Sequence, residues 1–469
     1  MKTKYKKQCM NCCWSVFIKI VFLSTVFSMP ACDSFLEVEL PKSQLTNSTV
    51  FQDYTTANAA MADVYSKMRD KGLLTGSQFG ISNQLGNYTD EFTFYGAPTN
   101  ATSEFYANTI LPSNSTLELF WNNSYNQIYA SNAVLEGVQT APFSTQDKAQ
   151  LQGEALFIRA LLHFYLLQLF GDIPYIQTTD YKVNSTVTRM TSNEIYAHII
   201  TDLKTAEALL PSSYSTTERV RANSFVVKAL LARVYLYTGS WEDANEMATA
   251  VINNNSLYVF ENNLDKVFLK NSTETIWQFM PTVAGKNTDD AIVFNFTLGP
   301  PPLVAITESL INSFTINDLR KSHWTKEVSN RIGTWYSPYK YKESRNTSVS
   351  REYTIILRLT EQYLIRAEAL AQKGNLIVAK EDLNKIRKRA GLSDIEASSK
   401  EEILEAILQE RRKELFSEYG HRFFDLKRAS KLDLILSTKS GWNTNDKLLP
   451  IPKSELSANP NLTPQNPGY

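Results

Sequence analysis

Residues 151–170 are apolar at nearly every position. The few polar residues that interrupt them, Gln152, Arg159 and His163, fall at spacings of seven and four, on one narrow stripe. This pattern predicts a single helix, about 30 Å long at 1.5 Å per residue, buried on most of its faces. Gly171 can close it and Pro174 keeps it from resuming. Amphipathic segments surround it on both sides. Residues 51–70 carry the small residues Ala57, Ala59, Ala60 and Ala62. Residues 117–138 place Trp121, Tyr125 and Ile128 on one helical stripe, which reads as core. Thr191 and Glu194 form a capping box. The stripe Ile195, Ile199, Leu203, Ala206, Leu210 that follows stops at Pro211. Asn223 can cap the next helix, which Gly239 closes, and residues 241–252 form its antiparallel partner.

An internal repeat organises these helices. Ala232, Tyr235, Gly239, Ala244, Ala248 and Val251 recur 135 residues later as Ala367, Leu370, Gly374, Ala379, Leu383 and Ile386. Small residues let two helices approach closely, and the glycine permits the tight turn between them. This is the tetratricopeptide pattern. Its helix pairs leave an apolar face uncovered unless they stack. About four pairs are expected for a repeat of ~34 residues, the central helix belonging to one of them with residues 172–190 inserted between its two helices. The predicted fold is mainly all-α, a tetratricopeptide-like helix-pair scaffold. Long irregular loops and short β-strands are expected to form a ligand-binding face on it.

Two stretches, residues 72–112 and 270–351, lack a helical period and are rich in Gly, Asn, Thr, Ser, Tyr and Trp. Residues 275–279 and 291–298 read as short strands, with Trp277 in the core, and Pro300, Pro301 and Pro302 as a rigid spacer. Irregular aromatic loops on a rigid scaffold are where binding usually resides. Aromatic faces stack on the C–H faces of sugar rings, while amides and carboxylates fix hydroxyls. The candidate ligand residues are Tyr88, Asp90 and Tyr95 from the first stretch, and Trp335 and Tyr336 from the second. They are expected to face one shallow concave site. Glu91, Phe94, Trp324 and Tyr339 crowd the same loops.

Composition narrows the function. Formal net charge is zero, so nothing points to nucleic acid. Aromatic residues make up 12% of the chain, which suits a large core and a stacking surface. The cysteines are Cys9, Cys12, Cys13 and Cys32, and none follows, so the body has neither a disulfide framework nor a cysteine zinc site. No metal or cofactor is expected. A basic start, an apolar run at 13–29 and Ala31–Cys32 read as an export signal, residues 1–31, cleaved before a cysteine that is then acylated. The mature body, residues 32–469, reads as one unit. No G-x-S-x-G, G-x4-GK[ST] or HExxH sequence occurs, and His163, His198, His323 and His421 lie in separate segments. His163 reads as a satisfied core residue and the chain as a non-enzyme. Residues 403–420 are amphipathic. Glu410, Arg411, Arg412, Glu414, Glu418, Arg422 and Asp425 in and after them read as ion pairs that dock the last helices. The proline-rich end should run extended over the body, with Leu448, Leu449 and Ile451 in apolar slots.

Several segments resemble the SusD/RagB family in the same order along the chain. They are CDSFLEVELP from Cys32, ELFWNNSYNQIYASNAVLEGV, GEA-x3-RA…GD-x-P in the central helix, ERR-x-EL…G-x-R-x2-DL-x-R, and the ending PIP…E…NP-x-L-x2-QNPGY. The resemblance implies a lipoprotein of the bacterial outer membrane, facing the cell surface, anchored by lipid on Cys32. It implies oligosaccharide binding and a partnership with a SusC-like TonB-dependent transporter, over which the protein sits as a lid. The cargo could equally be peptide, since some family members take up peptides. Two readings from other classes compete: a lipid-anchored scaffold that binds only protein, and a glycan hydrolase with unrecognised carboxylates.

Overall fold

The computed structural model describes residues 47–469; the predicted leader and Cys32 lie outside the described residues. The longer helices are α1 (Tyr54–Asp70), α2 (Ser115–Gln139), α3 (Thr145–Phe170), α4 (Ser192–Leu209), α5 (Ser224–Thr238), α6 (Trp241–Ile252), α7 (Leu359–Gln372), α8 (Leu376–Arg389) and α9 (Lys400–Leu415). The strands are β1 (Phe92–Phe94), β2 (Thr275–Phe279), β3 (Val304–Ile306), β4 (Thr325–Ser329), β5 (Thr334–Pro338) and β6 (Thr354–Arg358). They form three antiparallel two-stranded ribbons, β1–β3, β2–β6 and β4–β5.

The apolar run at 151–170 is the inner part of α3, and every residue from Gly153 to Phe170 is buried. The helix starts six residues earlier than its apolar pattern does, because Ser144 caps it by accepting from the Asp147 N–H. A polar first turn leaves no trace in a hydrophobic period. Among the described residues α3 alone is long and apolar enough to cross a membrane, and it is wholly inside the body. It packs between α2 and α4. Its polar stripe is satisfied internally. Arg159 donates to both oxygens of Asp202 on α4, at 2.7 Å each, and to Asn132 on α2. His163 Nδ1 lies 2.8 Å from the Arg159 carbonyl, and Nε2 accepts from the Ile176 N–H. These partners fix the neutral tautomer with the proton on Nδ1. Burial pushes the pKa of His163 down to about 3, so it is a core residue, as read from the sequence.

The repeat is borne out as two helix pairs, α5–α6 and α7–α8. Gly239 and Gly374, with φ of +73° and +83°, make the two turns. All ten non-glycine repeat positions are buried. α3–α4 and α1–α2 complete four pairs, and α6 packs on α7 to join the two repeats. A buried ion pair, Arg233 to Glu361, with Tyr165 on the same guanidinium, ties α5 to α7 and α3.

The irregular stretches carry more helix than their composition suggests. Residues 72–112 include Ile81–Tyr88 and Thr102–Ala107. Of residues 291–298, expected as a strand, the first half belongs to the helix Asp289–Phe294, started by Thr288 accepting from the Asp290 N–H. A four-residue apolar run cannot distinguish one helical turn from a strand. The stretch 403–420 breaks after Leu415, where Ser417 and Tyr419 take positive φ, and a separate helix, His421–Arg428, follows. At the C-terminus Leu449 and Ile451 are fully buried and Leu448 half-buried. Pro452 there starts a short helix, Lys453–Ala458, that the proline count did not suggest.

Candidate functional site

The first irregular stretch enters the body before it reaches the surface. All eight residues of the helix Ile81–Tyr88 are buried. Tyr88 closes it, with its ring 5.4 Å from Phe423, 6.0 Å from Trp442 and 6.2 Å from Phe105, and its hydroxyl donating to the Asp446 carbonyl. Tyr88 is therefore a core residue, which corrects its assignment to a ligand surface. Asp90 is corrected likewise. Its carboxylate accepts from Arg422 Nε and Nη2 and from Arg412 Nη2, at 2.7–2.8 Å. Burial alone would raise its pKa, but Arg422 and Arg412 outweigh that and hold it below the usual carboxylate range. The sequence could not disclose this, because both arginines lie more than 300 residues away.

After Glu91 the chain emerges. β1 pairs with β3, Phe92 opposite Ile306, Thr93 opposite Ala305 and Phe94 opposite Val304, and the Tyr95 N–H extends the ribbon by donating to the Leu303 carbonyl at 2.7 Å. This ribbon joins the two irregular stretches. Tyr95 is 41% exposed, and its side chain has no hydrogen-bond partner.

The β4–β5 hairpin stands against the same ribbon. Trp335 is opposite Val328 and packs on Phe296 and Ala305, the residue paired with Thr93. Its ring lies on the backbone at Gly299, where an added Cβ would sit 2.1 Å from the indole. Asn330 at the hairpin turn donates to the Gly299 carbonyl at 2.7 Å and fixes this contact. Leu298 and Ile332, on the chain to either side, are 80% and 76% exposed. Trp335 is partly exposed.

Tyr336 does not share that face. Successive residues of a strand point to opposite sides, and Tyr336 pairs with Glu327, to which its hydroxyl donates at 3.0 Å. It lines a separate groove of about 720 Å³ with Asp318, Leu319, Lys321 and Lys326. Trp324, in the same crowd of aromatics, is fully buried, and its indole donates to the Leu264 carbonyl. Of the five candidates, then, the structure brings Tyr95 and Trp335 to one ribbon, turns Tyr336 away, buries Tyr88 and ties the half-buried Asp90 to two arginines. Sequence reasoning missed Leu298 and Ile332. Leu298 was absorbed into a supposed strand, and Ile332 sits alone in a polar turn.

The surface offers half-exposed aromatic rings and exposed aliphatic side chains beside loop amides. It offers no acid–base pair. Of the carboxylates in the nearby interior, Glu414, Glu418 and Asp90 are bound to arginine or lysine, whereas Glu91 and Asp290 are not. Among the described residues no group of three or more His, Cys, Asp or Glu side chains could hold a metal ion.

Residues 34–236 match the family described as starch-binding and associating with the outer membrane, and residues 312–469 match the SusD family. The chain belongs to the SusD/RagB family. A SusD-like protein of Formosa agariphila is 25% identical over 511 residues, covering 96% of this chain and 99% of the relative. A SusD superfamily structure from Bacteroides vulgatus superposes with a TM-score of 0.79 at 23% identity, covering 90% of this chain and 100% of that one. A structure described as a laminarin binding SusD-like protein gives 0.76 at 24% identity, with coverage of 88% and 99%. Surface glycan-binding protein A from Bacteroides thetaiotaomicron, in complex with laminarihexaose, gives 0.73 at 17%, with coverage of 88% and 99%. These likenesses establish the SusD fold, including its helical, tetratricopeptide-like body. Gly299, beneath Trp335, lies between the two matched stretches.

Proposed function

We propose that the protein is a glycan-binding lipoprotein of the outer-membrane surface, which captures an oligosaccharide and delivers it to a SusC-like TonB-dependent transporter. The observation that carries this reading is the paired placement of Tyr95 and Trp335 on the ribbon where the two irregular stretches meet. Flat apolar area with a few polar groups is what a sugar ring needs. That the two structural neighbours named above bind laminarin or laminarihexaose supports a glycan as cargo. Binding here is capture without chemistry: it raises the local concentration of cargo at the channel mouth.

A stacking contact contributes on the order of 1 kcal/mol. Tyr95→Ala should therefore weaken laminarihexaose binding about fivefold, with an unchanged thermal midpoint, because the exposed ring supports nothing in the core. Trp335→Ala should lower affinity and stability together, since part of its ring packs on Phe296, Ala305 and Val328. The screen that tests this sets the soluble chain against glycan and peptide libraries. Peptides alone on the binding list would make the cargo peptide, and a Tyr95→Ala protein that bound its glycan at full strength would move the site elsewhere.

The anchor and the partner can be tested together. In mild detergent extracts of outer membrane the chain should co-purify with a barrel transporter. Cys32→Ser should shift it to the soluble fraction without lipid label. Monomer alone in the extract, with the barrel present, argues against the partnership.

A further inference from the structure

On the helical side of the molecule, away from the β ribbons in sequence, lies a groove of about 580 Å³. This size falls within the ~300–1,000 Å³ of small-ligand sites. One wall is α2, whose Asn122, Tyr125, Asn126 and Tyr129 follow at helical spacing on one face. Pro174, the inserted segment around Asn184 and the C-terminal segment around Asn459 make up the rest.

Apart from Tyr125, this face of α2 is not used by the fold. The core stripe of α2 is supplied by Phe120, Trp121 and Ile128, which are all buried. Tyr129, by contrast, is 46% exposed, and Asn122 and Asn126 are exposed with no side-chain hydrogen-bond partner among the described residues. Asparagine is a mediocre helix former, so two of them beside an exposed tyrosine add nothing to the stability of α2.

The groove is also held open in advance. The Tyr125 hydroxyl donates to the Pro174 carbonyl at 2.9 Å, and its ring lies 4.9 Å from Trp121, which is set edge-on against Phe170. Across the groove Asn459 donates to the Val187 carbonyl and Asn461 to that of Thr186, both at 2.8 Å, pinning the C-terminal segment to the insertion. Walls fixed in this way do not have to be ordered by a ligand, which favours affinity.

The chemistry of the lining selects the ligand. It contains aromatic faces and primary amides, and amides both donate and accept, as sugar hydroxyls do. Its one ionisable group of acid or base character is Glu455, whose carboxyl burial holds above the usual range. A groove without a paired charge suits a neutral ligand better than a peptide with charged ends. A second groove, of about 510 Å³, adjoins on the far side and shares Asn126 and Tyr129, so a chain of sugar rings crossing Tyr129 would meet both. We infer that α2 presents a second carbohydrate site, in which Tyr129 stacks and Asn122 and Asn126 hydrogen-bond a neutral oligosaccharide. The inference rests on the glycan reading for its ligand class, but on none of the residues of the Tyr95–Trp335 ribbon.

The test is titration calorimetry of the full chain in detergent with laminarihexaose and maltohexaose. The wild type should bind at least one of these hexasaccharides at two sites. Tyr95→Ala should leave the α2 site, while Tyr129→Ala and Asn126→Ala should each weaken the other site at least fivefold with unchanged thermal midpoints. Tyr129→Phe, which keeps the ring, should retain most of the binding. One-site binding that Tyr95→Ala weakens and Tyr129→Ala leaves untouched would overturn this inference and spare the proposed function. Binding of neither hexasaccharide would overturn both. Loss of transporter co-purification in Tyr129→Ala, with sugar binding intact, would overturn it too, because the face would then be a protein-docking surface.

Discussion

Glu414→Ala is expected to destabilise the protein by about 3–5 kcal/mol. Glu414 is fully buried near the end of α9. Its Oε1 accepts from Arg358 at 2.8 Å and from Arg389 at 2.5 Å, and its Oε2 from Arg320 at 3.1 Å. Each of these cations belongs to a different segment: Arg358 ends β6, Arg389 ends α8 and Arg320 lies in the helix Leu319–Trp324. Burial by itself would raise the pKa of Glu414, but the surrounding arginines overcome it and hold the carboxyl far below its usual range. Removing the carboxylate takes one partner from each of three buried guanidinium groups, which keep Asp318, Glu418 and Glu274 but lose the charge that balances the cluster. The cost is that of uncompensated buried charge, and it exceeds the net worth of the original pairs. Glu414→Gln, which keeps the shape and an acceptor but not the charge, should fall between the wild type and Glu414→Ala. The control is Asp63→Ala. Its Lys67 partner is on the surface, with both side chains more than half exposed, and such pairs contribute about 0–1 kcal/mol. Denaturant unfolding of the three variants is the measurement. A Glu414→Ala midpoint equal to that of Asp63→Ala would show that the partners the arginines already have, Glu418, Glu274 and Asp318, satisfy them without Glu414.

A second large effect should appear as a pH dependence at Glu91. This residue lies between Asp90 and β1, 3% exposed, and its Oε1 has no hydrogen-bond partner. Burial first, then the neighbouring charge of Asp90, push its pKa from 4.5 up to about 8, against the opposing pull of Arg422, Lys340 and Arg412. Between these two values the native state keeps a proton that the unfolded chain has released. The native state then binds more protons, so stability falls as pH rises through that window. The loss by pH 8 is on the order of a few kcal/mol. Glu91→Gln is neutral throughout and should be more stable than the wild type at neutral pH, with the difference shrinking toward pH 5. Lys427 and Lys439, which burial holds down to about 7, act in the opposite direction, adding stability as pH rises, but only above that value. Asp290, which burial raises to about 6, titrates in the same range in both proteins, so the difference between them from pH 5 to 7 isolates Glu91. Parallel stability curves over that range would mean that Glu91 is ionised in the native state.

Both effects arise where polar residues of remote segments meet inside the body. They mark the boundary between what the chain discloses in one dimension and what it does not. The helices were legible because their cause is local. The period of α3, the Thr191–Glu194 box, the Asn223 cap and the glycine turns of the two repeats all act within a few residues. Burial of the repeat positions was legible too, since an apolar stripe on a helix pair has nowhere else to go. The charged run from Glu410 to Asp425 could be read as docking ion pairs from its spacing, and the pairs are there, as Arg411 to Asp425 and Arg412 to Asp90 show.

The sites depended on tertiary structure. Tyr88 and Asp90 have the residue types and loop setting of ligand contacts, yet partners contributed from residues 412–446 draw them inside. Trp335 and Tyr336 are adjacent in sequence and face apart, because a strand alternates its sides and only pairing with β4 fixed that strand. Tyr95 and Trp335 were placed together by the β1–β3 ribbon, a pairing across more than 200 residues that no local pattern encodes. Tyr129 and its flanking asparagines read as ordinary helix surface until the C-terminal segment and the 172–190 insertion close a groove against them. By itself the sequence determined which segments are helices and which of their faces are apolar, since backbone capping and side-chain period act over one or two turns. Only the tertiary structure decided which polar and aromatic side chains remain at the surface, since that depends on partners brought from hundreds of residues away.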